Sequence, residues 1–388
     1  MKEDALRIVV LGLSLSSSWG NGHATTYRAL LKAMAARGHH ILFLERDQPW
    51  YAAHRDLTRP DYCALHFYKS AAELRRWQSD IVSADAVIVG SYVPGGIHVA
   101  RFVQRHAAGV TTFYDIDTPV TLAKIEAGEQ EYLTRELIPG FDLYLSFTGG
   151  PTLRRIERRY GAPMARALYC SVDPQLYRRT NARQRWDLGY LGTYSADRQG
   201  KLEKLLLEPA RRAPSRRFVV AGAQYPADIT WPDNVERIDH LPPSRHADFY
   251  SSLGWTLNLT RADMVELGHS PSVRLFEAAA CATPIISDRW TGLDDLFEPG
   301  REIAIAEDGR DIPALLTYSS ASRLAIGRAG QRRVLAEHTA FHRAAQLDVL
   351  LREVRARLVT SVSASTLNGS ATARLTAVRP NAVGSRIA

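Results

Sequence analysis

The segment His269–Asp288, HSPSVRLFEAAACATPIISD, holds residue types that could bind an anion and a diol. Ser270 or Ser272 can cap a helix running through Phe276 and Ala280, and the start of such a helix offers free backbone N–H groups and the positive end of its dipole. Ser270, Ser272, Val273 and Arg274 thus outline a phosphate site, with the Arg274 guanidinium adding a charged fork in the first turn. Glu277 follows one turn later, where a carboxylate could accept both hydroxyls of a ribose. The same residues also describe a serine-capped helix with a surface Arg and Glu, so the segment alone leaves both readings open.

Two further clusters carry titratable groups. Tyr114-Asp115-Ile116-Asp117-Thr118-Pro119 follows an apolar run and ends in a proline that stops regular structure. Two carboxylates two residues apart at a strand end are expected to point the same way, which makes Asp115 and Asp117 candidates for binding a hydroxyl or taking its proton. The loop Ser16–His23, SSSWGNGH, is rich in glycine and serine but lacks GxGxxG spacing, although Glu45 and Asp47 stand where a dinucleotide fold keeps its acid. A nicotinamide-dependent oxidoreductase is therefore disfavoured. His23 closes this loop and is a third candidate catalytic residue, equally readable as a surface or capping histidine. Trp19, Trp50, Tyr51 and Tyr92 could stack on a flat or ring-shaped ligand or simply pack.

The elements that must position these residues alternate short β-rich runs with helical patterns. RIVVLGL from Arg7, HHILFLE from His39, DAVIVGSY from Asp85, VTTFYDI from Val110 and DLYLSF from Asp142 form a first series. Tyr27, Leu30, Leu31, Met34 and Ala35 share one helical face between the first two runs, and Gly38 stands where that helix would end. A second series comprises WDLGYLG, RFVVAG from Arg217, NVERI from Asn234, GWTLNLT from Gly254, TPIISD from Thr283 and EIAIA from Glu302. Two such series predict an α/β fold with two Rossmann-like domains facing across a cleft: residues 1–170, a linker 171–186, and residues 187–339. Phe341, Ala344, Ala345, Leu351, Val354 and Leu358 predict a closing amphipathic helix over 340–359. Residues 360–388, rich in Ser, Thr, Ala and Gly without aromatics, are expected to form a disordered tail.

The run LFEAAACATPIISD resembles the carboxyl-terminal nucleotide-sugar domain of group 1 glycosyltransferases of the GT-B fold, and SPSVRLFEAAA before a strand ending in Asp is similar to their CgeB-like, spore-maturation branch. The likeness covers Asp187–Ile305 well and the amino-terminal half in general layout. It implies that Glu277 binds the donor ribose and that the preceding loop holds the diphosphate. By the same likeness Gly192 and Thr193 of LGTYSADRQGK, with Arg198 or else Lys201 as the cation, reach the pyrophosphate. Gly222 and the His240-Leu241 loop would flank the base, and Gly20, Asn21 and Gly22 would touch the donor sugar or distal phosphate. Position 269 is His where the wider group has a glutamate, and no catalytic role is assigned to it. Asp115 falls where many group 1 enzymes have a histidine. The DxD spelling is shared with metal-dependent glycosyltransferases of another fold, but a two-domain cleft of this kind implies none, so neither metal nor cofactor is expected beyond the nucleotide sugar itself. Retention of configuration is favoured over inversion.

Length and composition set the outer limits. The 388 residues are 45% apolar and 23% charged, with a net charge of +8 spread over short patches rather than one stripe, so a nucleic-acid partner is not expected. No run is apolar enough to span a membrane, and the start MKEDALRIVV has acids where a secretory signal would be basic, which together predict a cytoplasmic protein, with at most peripheral membrane contact. The 3 cysteines, Cys63, Cys170 and Cys281, are far apart and expected to be reduced. The leading expectation is a glycosyltransferase moving a sugar from a nucleotide-diphosphate sugar to a hydroxyl acceptor. The rival is a non-catalytic relative that keeps the cleft as a nucleotide- or glycan-binding scaffold.

Overall fold

A computed structural model of the chain describes residues 4–20 and 22–367, with side chains as far as Thr360. Seven strands build the first sheet: β1 (Arg7–Gly12), β2 (His40–Arg46), β3 (Ala64–Tyr68), β4 (Ala86–Gly90), β5 (Val110–Asp115), β6 (Leu143–Ser146) and β7 (Ala165–Ala167). Six build the second: β8 (Trp186–Leu191), β9 (Phe218–Ala221), β10 (Val235–Ile238), β11 (Leu253–Asn258), β12 (Ile285–Ser287) and β13 (Ala304–Ile305). Every pairing is parallel, and the orders are β3-β2-β1-β4-β5-β6-β7 and β10-β9-β8-β11-β12-β13. Helices cover both faces, which is why central strands such as AVIVG of β4 and LGWTLN of β11 are buried at every residue rather than alternating. In each sheet the winding reverses beside the first strand, between β1 and β4 and between β8 and β11, and the crevice outside the strands' carboxyl ends opens there.

The chain crosses between the domains twice, and the crossings touch. Val172 and Thr339 form an isolated bridge, and the Ala340 amide donates to the Val172 carbonyl at 2.8 Å. Helix Ala340–Leu367 then returns to the first domain and lies on helix His23–Ala36, where Ala344, Leu347, Leu351 and Val354 join Leu30, Leu31 and Met34 in one apolar cluster. Residues 360–367, expected in a tail, continue this helix, because its register is already propagated through the docked turns. The rest of the expected tail, 368–388, lies outside the described residues.

Asp348 fastens that helix. Its side chain is 2% exposed, and it accepts hydrogen bonds from Arg37 Nη2 at 2.7 Å and Arg352 Nε at 2.7 Å, with His39 Nε2 3.5 Å away. Burial would raise the Asp348 carboxyl, but the two arginine bonds outweigh it and hold it below the usual carboxylate range. A depressed folded value means a stabilisation present above the unfolded value of about 4 and lost as pH falls further. Asp348→Ala should therefore cost about 2 kcal/mol at neutral pH, and the deficit should shrink with acidification, as urea denaturation at a series of pH values would show.

Candidate active site in the interdomain cleft

A cavity of ≈ 580 Å³ lies between the carboxyl ends of the two sheets, within the size range of small-molecule sites. Its second-domain floor is set by close approach of two loops. Gly222, at φ +151°, passes so near the strand before it that a Cβ there would collide with the Gly192 carbonyl oxygen, and a Cβ on Gly192 would meet Arg274 Nη2 and the Tyr190 hydroxyl at 2.7 Å. Tyr225 donates to the Gly192 carbonyl at 3.2 Å, and Arg237, stacked on Tyr225 and Trp231, donates to the Gly222 carbonyl at 3.1 Å. Both glycines line the cavity, as do Thr193, His240 and Leu241.

Helix Val273–Ala280 starts at this floor. Ser272 occupies its cap position with φ −82° and ψ 148°, yet its hydroxyl donates to Asn258 Oδ1 at 2.6 Å instead of capping the helix. The first amides are thus left without a side-chain partner at a wall that Ser272 and Val273 line. Arg274 is buried: Nε donates to the Leu191 carbonyl, Nη1 to Asn258 Oδ1 at 3.2 Å and Nη2 to the Tyr190 hydroxyl at 3.4 Å, with the guanidinium 4.7 Å over the Tyr190 ring. Glu277 is 5% exposed and faces the same cavity, where the Tyr250 hydroxyl donates to its Oε2 at 3.4 Å and His246 Nδ1 stands 4.0 Å away. The alternative of a solvent-facing Arg and Glu is thereby removed. Burial pushes the His246 imidazole down against the pull of Glu277.

Arg198 lines the cavity with Nη2 on the Thr193 carbonyl at 2.7 Å and Nε without a hydrogen-bond partner. Lys201, the alternative cation, is instead bound to Asp288 at 2.6 Å and to the Thr260 carbonyl at 2.8 Å, outside the lining. Ser270, expected at the phosphate, does not reach it. It is 1% exposed, does not line the cavity, and pairs its hydroxyl with Thr148 of the first domain at 2.9 Å. Neighbouring bonds repeat the theme: the Gly149 amide donates to the His269 carbonyl at 2.9 Å and the Cys170 thiol to the Pro271 carbonyl at 3.4 Å. His269 itself, at φ +46°, turns its Nδ1 to Asp295 at 3.2 Å and lies outside the lining.

The first domain supplies the opposite wall. Glu45, fully buried in β2, is not free for a ribose: it accepts from the Leu15 amide at 2.7 Å, the Ser16 amide at 2.9 Å and the Ser16 hydroxyl at 2.6 Å, and so holds the loop after β1. Gly20, at φ +67°, and Gly22 line the cavity; Asn21 lies outside the described residues. His23 opens the following helix at the cavity wall, its ring edge-on to Tyr92 at 5.4 Å and its Nδ1 without a partner. Burial pushes its imidazole down to about 4, so it is neutral at pH 7.

The two aspartates part company. Asp117 lines the cavity, and its Oδ2 accepts from the Tyr92 hydroxyl at 2.9 Å and from Arg261 Nη1 of the second domain at 3.0 Å. Asp115 is 0% exposed, accepting from Tyr144 at 2.6 Å and Thr121 at 2.7 Å within the first domain, and it cannot touch an acceptor. The rule that residues two apart share a face fails because the strand ends at Asp115 and Asp117 already stands at the cap position of helix Thr118–Glu126, at φ −139° and ψ 53°. Of the proposed stacking residues, Tyr92 lines the cavity. Trp19 stacks on His54 at 4.6 Å, Trp50 is 52% exposed and Tyr51 is buried, all three away from the lining. Arg261 and His246 were not singled out in the sequence, though LNLTR leaves an arginine just past a strand end as GTYSADR does. Among the described residues no group of three or more His, Cys, Asp or Glu is gathered as for a metal.

Comparison with known proteins agrees with this layout. Residues 198–348 match the family model described as glycosyl transferase-like. A D-inositol 3-phosphate glycosyltransferase of Mycobacterium sp. (strain KMS) is 31% identical over 153 residues, which is 36% of this chain and 33% of the relative, so the match spans about a third of that relative's length. HepE of Anabaena, solved with UDP-glucose, superposes with a TM-score of 0.64 at 11% identity, covering 90% of this chain and 100% of that one. An α-glucosyltransferase solved with UDP and a 13-mer DNA gives 0.67 at 11% identity, with 90% and 100% covered. The fold is the two-domain GT-B type of these glycosyltransferases.

The buried Asp115 has a measurable signature. Burial raises its carboxyl to about 6 while the Tyr144 and Thr121 bonds partly offset it, so the folded state holds the proton more tightly than the unfolded chain at about 4. Its contribution to stability rises as pH falls from about 7 to 4. Asp115→Asn should flatten this dependence and raise stability at pH 7 by up to about 3 kcal/mol, read by thermal melting across that range.

Proposed function

We propose that the protein transfers a sugar from a nucleoside-diphosphate sugar to a hydroxyl acceptor. The observation that carries the reading is the convergence of the open start of helix Val273–Ala280, Arg198, Arg274 and Glu277 on one cavity whose floor only glycines can form. In this reading the diphosphate lies against the helix start and the arginines, which oppose the charge that grows on the leaving group, and the ribose hydroxyls donate to Glu277. The sugar projects toward the wall of Gly20, Gly22 and His23, and Asp117 accepts a hydrogen bond from the acceptor hydroxyl. With retention, the acceptor enters on the leaving-group face: its oxygen bonds to the sugar carbon as the carbon–oxygen bond to the diphosphate breaks, and the hydroxyl proton passes to a diphosphate oxygen. Neutral His23 can accept or donate a hydrogen bond there without placing another charge.

Uridine is the base we favour, since the similar solved proteins carry UDP or UDP-glucose. Two arginines and a helix start supply the positive charge a diphosphate needs, so the reaction is assigned no metal or other cofactor. The branch we favour is the CgeB-like one, on SPSVRLFEAAA. The DNA in one similar structure is not transferred to this chain, whose modest positive charge is scattered. A cytoplasmic setting fits the three free thiols, and no helix among the described residues is long and apolar enough to cross a membrane.

A scaffold that binds without reacting is the second reading, favoured by the one observation that His269 turns away from the cavity. Release of free nucleotide from a panel of sugar nucleotides separates the two. Calorimetry with UDP, GDP, ADP and dTDP should show one preferred nucleotide, bound about tenfold or more weakly by Glu277→Ala and by Arg198→Ala; equal affinity in both variants contradicts the site. Chelation with EDTA should leave turnover unchanged, and a large loss would overturn the metal-independent mechanism.

A further inference from the structure

Arg261 is where the two walls of the cavity meet. It follows β11 in the second domain, yet its Nη1 donates to Asp117 of the first domain at 3.0 Å, and its Nε lies 3.5 Å from Asp197 Oδ2, next to Arg198 in sequence. Its side chain is 30% exposed and lines the same cavity as Arg198 and Arg274. The pair is unsaturated on both sides: Arg261 Nε and Asp117 Oδ1 have no hydrogen-bond partner, whereas Asp117 Oδ2 takes two. Tyr92, the second donor to that oxygen, holds a left-handed backbone at φ +61°, a conformation a tyrosine adopts at a cost. Burial also pushes the Asp117 carboxyl upward against the attraction of Arg261, so the carboxylate is held by a contact that is not fully compensated.

The other two cavity arginines are tethered. Arg274 is fixed to Leu191, Asn258 and Tyr190, and Arg198 to the Thr193 carbonyl. Arg261 is bound only to carboxylates, and a diphosphate presents a denser charge and a better match to its planar fork than either. We propose that Arg261 exchanges partners during the reaction: in the empty protein it closes the cleft on Asp117, and on donor binding its guanidinium moves to the diphosphate and leaves Asp117 free to hold the acceptor hydroxyl. Donor binding then precedes acceptor binding, because the carboxylate that receives the acceptor is covered until the diphosphate arrives. This inference rests on the reading of the cavity as a nucleotide-diphosphate site.

The exchange makes a prediction with an unusual sign. Asp117 competes with the nucleotide for Arg261, so removing its charge should strengthen binding. With the tightest of UDP, GDP, ADP and dTDP as calorimetric probe, Asp117→Asn should bind about three- to tenfold more tightly than the unaltered protein and Arg261→Gln about tenfold more weakly. The double variant should match Arg261→Gln, since the gain passes through the arginine. Tyr92→Phe, which removes one of the two side-chain donors to the Asp117 carboxylate among the described residues and leaves it Arg261, should weaken binding a few fold, and it serves as an independent test if Asp117→Asn melts early. Unchanged or weaker binding by Asp117→Asn overturns the exchange, as does an equal gain in the Arg261→Gln background, which would mark general charge relief. Binding of none of the four nucleotides by the unaltered protein overturns the nucleotide site itself and the exchange with it.

Discussion

A buried guanidinium ties the ligand-facing end of the second domain together. Arg274 reaches the last residue of β8 through the Leu191 carbonyl and the last residue of β11 through Asn258, the two strands between which the winding reverses. Because the same residue belongs to the first turn of helix Val273–Ala280, the helix start cannot move without breaking bonds to both strands. Gly192 and Gly222 then approach with no room for side chains, so phosphate-sized groups meet backbone rather than methyls. Such rigidity before binding is what electrostatic stabilisation of a leaving group requires, since donors already in place need not reorganise as charge develops.

The first domain contributes to this floor from outside. Thr148, Gly149 and Cys170 hold the stretch 269–271 from across the domain boundary, and the chain's two crossings meet at Val172 and Thr339. Helix Ala340–Leu367 docks the end of the second-domain segment back onto helix His23–Ala36, whose first residue faces the cavity. The two walls of the site are therefore linked at the chain crossings through packed side chains, and on the far side through the Arg261–Asp117 ion pair and the contact of helix Ala262–Leu267 with helix Thr118–Glu126. Stiffness at one end and a replaceable contact at the other is a geometry suited to a cleft that admits two substrates in turn.

Much of this was legible in the sequence because central parallel strands are buried on both faces and read as apolar runs, as FVVA of β9 and IIS of β12 do. Strands β3 and β7 do not. ALHFY alternates exposed and partly buried residues at one sheet edge, and ARA at the other is three residues long, too short to leave a pattern. Glu277 and Arg274 could be placed because helical spacing carries a side chain predictably from its cap. Asp115 could not, since the chain turns between it and Asp117, and strand periodicity says nothing about a residue past the last strand bond. Ser270 was misplaced for a related reason: which of two nearby serines faces the ligand depends on the left-handed turn at His269 and on Thr148, distant in sequence. Arg261 acquires meaning only when the second domain meets the first.

A crystal structure with the preferred nucleoside diphosphate bound would show directly whether the start of helix Val273–Ala280 holds the phosphates. Phosphate oxygens should lie within hydrogen-bond distance of the amides that begin helix Val273–Ala280, with the ribose hydroxyls on the Glu277 carboxylate. A nucleotide seated elsewhere, or in this cavity with its ribose away from Glu277, would contradict this placement.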